Sequence, residues 1–297
     1  MQGQPRIPTL FLILSAIAMI LVSPLWSNAQ EFTPLHLVLA FYYTWFDETT
    51  WTHEKVSDMP VQPYASRDRE VMARHISQAR NAGIDALVVS WYGPQSENNQ
   101  TEPNVAALLE VAQEQNFKIA IDFETASPFL NGRDDIVRAL QHLLTVHTVK
   151  ESYLRYQGKP VIFFWAVQHI PTGPGQTPLD AWRSIRELVD PERRSIWIAE
   201  GVDISYQAVF DGHHLYSIAW SADVAHTLAD WSARVADWSS AHGEERIWVA
   251  TVMPGYDDLR TGRANAFVRE RESGGFYGAT WRAAIASRAD WIIITSF

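Results

Sequence analysis

Glu124 ends the apolar run Phe117 to Glu124 (FKIAIDFE), with Asp122 two residues before it. A carboxylate at the end of a buried strand is costly unless it is solvated, paired or used. Glu124 is therefore a candidate for proton transfer, or for accepting hydrogen bonds from a ligand. Similar positions recur along the chain. Other apolar runs lead into Tyr42, Tyr43 and Trp45, into Ser90-Trp91-Tyr92, into Trp165 and into Glu200. A weaker run carries Asp211, His213, His214 and Tyr216, and another leads into Pro254-Gly255-Tyr256-Asp257-Asp258. The set is aromatic and acidic. Flat rings with a polar edge stack on sugar rings, and carboxylates accept hydroxyl hydrogen bonds or shuttle protons. Such a rim suits a saccharide.

Each residue has a plainer reading. Trp91 and Trp165 could equally be core, a structural ion pair is the alternative for Glu124, and Asp257-Asp258 suits a turn cap. His213 and His214 are adjacent on an extended segment, so their side chains point to opposite faces and do not chelate one ion together. The chain has no cysteine, which excludes disulfides and thiolate metal sites. There is no Ser nucleophile elbow, HExxH or phosphate loop. No cofactor and no metal are expected. The formal net charge of −10, from 34 acidic and 24 basic side chains, disfavours nucleic acid as a partner.

The elements that must hold these residues alternate in type. Strand-like runs lie at residues 37–43, 84–91, 117–124, 160–165, 195–199, 246–253 and 291–297, with a weaker one at 209–219. Helical patterns lie between them at 67–82, 102–116, 134–148, 179–189, 225–240 and 278–288. Strands interleaved with helices indicate βαβ units and a parallel sheet. Eight of them over this length predict a (β/α)8 TIM barrel. A doubly wound open sheet would carry a glycine-rich loop after its first strand, whereas here Tyr43-Thr44-Trp45-Phe46 follows. The eighth run ends with the sequence, so the expected barrel lacks its last loop and helix. At the other end, Arg6, the apolar stretch Ile7 to Val22 and Ser27-Asn28-Ala29 read as a signal peptide over residues 1–29. The barrel then occupies residues 30–297. An uncleaved anchor is the alternative; after cleavage no stable membrane insertion is expected, and the protein would be secreted, periplasmic or on the cell surface.

Four segments carry a resemblance. They are Phe41-Tyr42-Tyr43-Thr44-Trp45-Phe46; His75 with Ala82-Gly83-Ile84-Asp85 and Val89-Ser90-Trp91; Gly158-Lys159-Pro160-Val161; and Met253 to Asp258 followed by Ile294 to Phe297. In order and spacing the chain resembles glycoside hydrolase family 99, the endo-α-mannosidase/endo-α-mannanase family. The resemblance implies a (β/α)8 barrel that cleaves internal α-mannosidic bonds with retention and without a metal. It implies one carboxylate acting as base on the sugar's 2-hydroxyl and a second protonating the leaving oxygen. In the family both are glutamates that follow Thr-Ser-Phe, which places them after Phe297 here. It further implies Tyr42, Tyr43 and Trp45 as an aromatic wall, Trp91 as a stacking platform, Glu124 as an auxiliary carboxylate and Tyr216 as a pocket tyrosine. Tyr256 and Asp257 complete the expected substrate-binding set. A non-catalytic carbohydrate-binding barrel and a barrel glycosidase of other specificity, such as an α-glucanase, are the alternatives.

Overall fold

Eight runs of β-branched, aromatic and small apolar residues pair side by side as parallel strands. The structure, a computed structural model, describes Gly3 and residues 36–297. The signal-peptide expectation for residues 1–29 lies outside the described residues. The strands are β1 (Leu37–Tyr42), β2 (Ala86–Trp91), β3 (Lys118–Glu124), β4 (Lys159–Trp165), β5 (Ile196–Glu200), β6 (Gly212–His214), β7 (Ile247–Val252) and β8 (Trp291–Ile294). Each pairs in parallel with the next in sequence, and β8 pairs with β1, Leu37 opposite Trp291. The ring is closed, as a (β/α)8 barrel requires.

Six helices cover it: α1 (Arg69–Asn81), α2 (Thr101–Glu114), α3 (Arg133–His142), α4 (Pro178–Val189), α5 (Val224–His242) and α6 (Gly275–Ala286). Local signals fix their ends. Asp68 caps α1 by accepting the Glu70 N–H. Thr177 and Asp180 form a reciprocal box at the start of α4, with Pro178 in its first turn. Gly243, at φ 66°, stops α5.

Two expectations change. The helix expected over 134–148 is an α-helix only to His142 and continues as one π turn, Leu143–His147. The sixth strand is three residues, Gly212–His214, rather than 209–219. Only residues 201–211 separate β5 from β6, which leaves space for a single 3-10 turn, Ile204–Ala208, in place of a helix.

Strand alternation sorts side chains into two layers. Leu39, Phe41, Val88, Ala120, Phe163, Ile198, Val249 and Ile293 fill the barrel interior. Tyr42, Val89, Trp91, Phe123, Phe164, Trp197 and Trp248 point outward and pack under the helices. Three aspartates pin the N-terminal ends of strands. Each precedes a strand and accepts the free N–H of the strand before it: Asp85 takes Val38 N–H at 2.8 Å, Asp211 takes Trp197 N–H at 2.9 Å and Asp290 takes Trp248 N–H at 2.8 Å. Asp85 is exposed, so its loss leaves a solvent-reachable amide. Asp85→Ala should cost about 1 kcal/mol, read as a shifted urea midpoint with an unchanged slope. A cost above about 3 kcal/mol would mean that the latch does more than satisfy one amide.

Candidate active site

The C-terminal ends of the strands open into a cleft of about 1420 Å³. Its floor is set by inward-facing positions at or just past the ends of several strands. From the first strand's continuation comes Tyr43, from β3 Glu124, from β4 Trp165 and from β5 Glu200. Tyr216 arrives two residues after β6.

The aromatic wall is a ladder. Trp45 lies between Tyr43 and Tyr92, stacked on the first at 4.7 Å and on the second at 5.5 Å between ring centres. The loop carrying it is tied to α2 and its approach. Gln100 Nε2 donates to the Trp45 carbonyl at 2.6 Å and Asn104 Nδ2 to the Thr44 carbonyl at 2.7 Å. The Tyr43 and Tyr216 hydroxyls hydrogen-bond to each other. The Tyr216 ring also packs on Phe41 at 5.3 Å. Burial pushes both phenols well above their ordinary value, so both stay neutral donors.

The acidic side is buried. Ser90 Oγ donates to Glu124 Oε1. Burial pushes Glu124 up to about 7, with the charge of Glu200 adding to the rise and the Ser90 hydrogen bond opposing it. Asp122 sits one inward position deeper, is fully buried and leaves Oδ1 without a hydrogen-bond partner. Burial first, then the charges of Glu124 and Glu200, hold its carboxyl well above the usual range. Burial raises Glu200 as well, against a hydrogen bond to its Oε2 from Ala166 N–H at 3.0 Å. Three carboxyls in one low-dielectric pocket cannot all ionise together, so the cleft holds at least one proton that a ligand can take or displace.

Five of the expected ligand-facing residues besides Glu124 line this cleft: Tyr43, Trp45, Tyr216, Tyr256 and Asp257. Tyr256 and Asp257 sit on an outer two-residue ribbon paired with Val268–Arg269. There Asp257 also caps the Leu259 N–H at 3.0 Å. Asp258 is structural: it accepts the Tyr256 hydroxyl at 3.0 Å and the Phe267 N–H at 2.7 Å.

Tyr42 and Trp91 do not reach the cleft, which corrects the expectation that they form part of its wall and platform. Both are fully buried at outward positions. Tyr42 OH meets His75 Nδ1 at 2.9 Å under α1, and Trp91 Nε1–H donates to Glu102 at 2.6 Å under α2. Their neighbours Tyr43 and Tyr92 face the cleft instead. His213 and His214 do diverge. His213 faces outward, stacked on Trp231 at 4.7 Å. His214 points into the barrel between Phe41 and Phe163, with neither ring nitrogen hydrogen-bonded.

Among the cleft residues absent from the expected set are Tyr92, Trp165 and Glu200, with Asp122 buried beneath them. With Glu124 set inward, the parallel register between neighbouring strands puts Tyr92, Trp165 and Glu200 on the same side. Glu102, His142 and His147 have ligand atoms close enough for a metal ion, but they lie on the outer flank of the barrel.

Comparison with known proteins agrees with this architecture. The sequence profile described as glycosyl hydrolase family 99 matches residues 56–297. A glycoprotein endo-alpha-1,2-mannosidase-like protein of Mus musculus is 27% identical over 255 residues, covering 79% of this chain and 54% of that protein. The chain spans about half the length of that relative. A glycoprotein endo-alpha-1,2-mannosidase of Mus musculus is 23% identical, covering 91% of this chain and 67% of the relative. Among solved structures, the GH99 endo-alpha-mannosidase from Bacteroides thetaiotaomicron in complex with bis-tris-propane superposes with a TM-score of 0.71 at 26% identity, covering 89% of this chain and 84% of that one.

Proposed function

Because the chain belongs to glycosyl hydrolase family 99, we propose that it is an exported glycosidase that cleaves internal α-mannosidic bonds with retention. The observation that carries this reading is the meeting of a stacked Tyr43–Trp45–Tyr92 ladder with buried carboxyls in one cleft at the strand ends. The endo-mannosidase names of its relatives support the choice of sugar.

In this proposal the ladder holds a pyranose face, and Tyr256 and Asp257 border the chain of sugars leaving the cleft. Tyr216 presents its hydroxyl to a sugar oxygen, and Glu124, when ionised, accepts a hydrogen bond from a sugar hydroxyl near the reacting carbon. Following the resemblance, the base and acid are glutamates after Phe297. The base takes the proton of the 2-hydroxyl, whose oxygen attacks the anomeric carbon as the glycosidic bond breaks. The leaving oxygen takes the acid's proton, and water then opens the three-membered ring from the opposite side, which restores the original configuration. The proposed processing runs with it: residues 1–29 removed, residues 30–297 forming the barrel. Among the described residues no helix is long and apolar enough to cross a membrane.

The test uses the product of the native reading frame with linear α-mannan oligosaccharides, followed by calorimetry and by release of new reducing ends. Binding with internal cleavage is the expected result. Binding without cleavage would make the protein a carbohydrate-binding barrel, and cleavage confined to α-glucans would make it a glycosidase of another specificity.

A further inference from the structure

We propose that Glu102, His142 and His147 form a binding site for one divalent cation of the zinc class, on the outer flank of the barrel and apart from the cleft. The three side chains present their ligand atoms together, all within 4.8 Å of one another. Glu102 uses both oxygens. Oε1 lies 3.0 Å from His142 Nε2, and Oε2 lies 3.0 Å from His147 Nε2. Metal bonds of about 2.0–2.1 Å in tetrahedral geometry set neighbouring ligand atoms about 3.3 Å apart. Each of the two carboxylate–imidazole pairs thus needs to open by only a few tenths of an ångström, and the remaining pair of ligand atoms lies within 4.8 Å. Two imidazoles and a carboxylate are a donor set for zinc, cobalt or nickel rather than for the oxygen-seeking magnesium or calcium.

The backbone is bent toward this arrangement. Residues five apart in a regular α-helix stand about 140° apart around the axis, which would turn His142 and His147 away from each other. The π turn that extends α3, with the Thr148 N–H bonded to the Leu143 carbonyl at 3.0 Å, adds the extra residue that puts both rings on one side. Their ring centres are 5.2 Å apart. Such turns are rare and are often found at functional positions.

The carboxylate is also prepared. Trp91 Nε1–H donates to Glu102 Oε2 at 2.6 Å, the kind of outer hydrogen bond that orients a ligating carboxylate. His147 is 1% exposed, whereas His142 is partly open to solvent. An ion would enter on the His142 side and take a water there as its fourth ligand.

The site does no chemistry on the sugar. It joins α2 to the end of α3 and, through Trp91, to the last residue of β2. The preceding residue, Ser90, is the one that bonds Glu124 in the cleft. The ion therefore braces the strand end that positions a cleft carboxyl.

The test uses tag-free protein stripped with a chelator. Zinc added to it should bind with one-to-one stoichiometry in calorimetry, and cobalt in its place should give the intense visible bands of a four-coordinate site. Free zinc at a hundredfold excess over its Kd should raise Tm by about 5 °C. His142→Ala, at a partly exposed position, and the near-isosteric Glu102→Gln should each remove the one-equivalent step. Failure of the wild-type protein to bind one equivalent, a six-coordinate cobalt spectrum, or undiminished binding by His142→Ala would each overturn the proposal.

Discussion

Replacing Glu124 with Gln should slow mannan cleavage by the product of the native reading frame by at least about 100-fold, and should make the protein more stable above neutral pH. The first effect follows from removing a desolvated charge from the reacting end of the cleft, where one such group is worth about 10²–10³ in rate. The second follows from linkage. The folded carboxyl titrates near 7 against an ordinary value of 4.5. The protonated form is thus the one the fold prefers. Its contribution is fully present below 4.5 and is lost as pH rises through 7. By pH 8 the loss approaches about 3 kcal/mol for a group shifted this far. Gln keeps the Ser90 contact and carries no charge at any pH. Initial rates and urea midpoints at pH 5 and pH 8 check both parts. Wild-type turnover by Glu124→Gln, or a stability gap that does not widen between the two pH values, would contradict the assignment.

His214 should be the chief acid sensor of the fold. Both ring nitrogens are buried without partners among aromatic side chains. Burial first, and then the charge of His213, pushes its pKa down to about 3 from 6.5. The neutral ring is what the interior tolerates. Its contribution is present above 6.5 and is lost as pH falls from there toward 3, by as much as about 4–5 kcal/mol. His214→Leu should remove this acid lability and stabilise the protein by about 1–3 kcal/mol at pH 7, since an unsatisfied polar ring becomes an apolar side chain of similar size. Denaturant midpoints at pH 7 and pH 4 test it. A variant that is no more stable at pH 7 and loses as much stability at pH 4 as the wild type would show that the ring nitrogens are satisfied after all.

The barrel was legible because its signals are local and repeated. Runs such as Leu37 to Tyr43 and Pro160 to Trp165 are too short and too β-branched or aromatic for helices. The cleft was half legible. Glu124 and Tyr216 stand at strand ends where polarity is conspicuous, and both line the cleft. The errors at Tyr42 and Trp91 share one cause. An aromatic pair at a strand end says that one ring faces the ligand and the other faces a helix, but composition does not say which. The strand's phase decides, and phase is set by pairing partners far away in the chain. With Glu124 fixed inward, the register Ser90 opposite Asp122 and Trp91 opposite Phe123 assigns Trp91 to the outside. The π turn after His142 was hidden for a different reason. It extends a helical pattern without breaking it, so periodicity alone reads residues 134–148 as one uniform helix.

The aspartate latches at the N-terminal ends of the strands have a kinetic side. They join residues 47, 14 and 42 apart in sequence. Each closes a loop no larger than one strand–helix–strand unit. The β1–β8 seam joins Leu37 to Trp291, almost the whole length of the ring. Loop-closure entropy grows only slowly with length, about 0.6 kcal/mol per doubling. The units can thus clasp one by one as the chain emerges, and the circle completes only when the last strand meets the first.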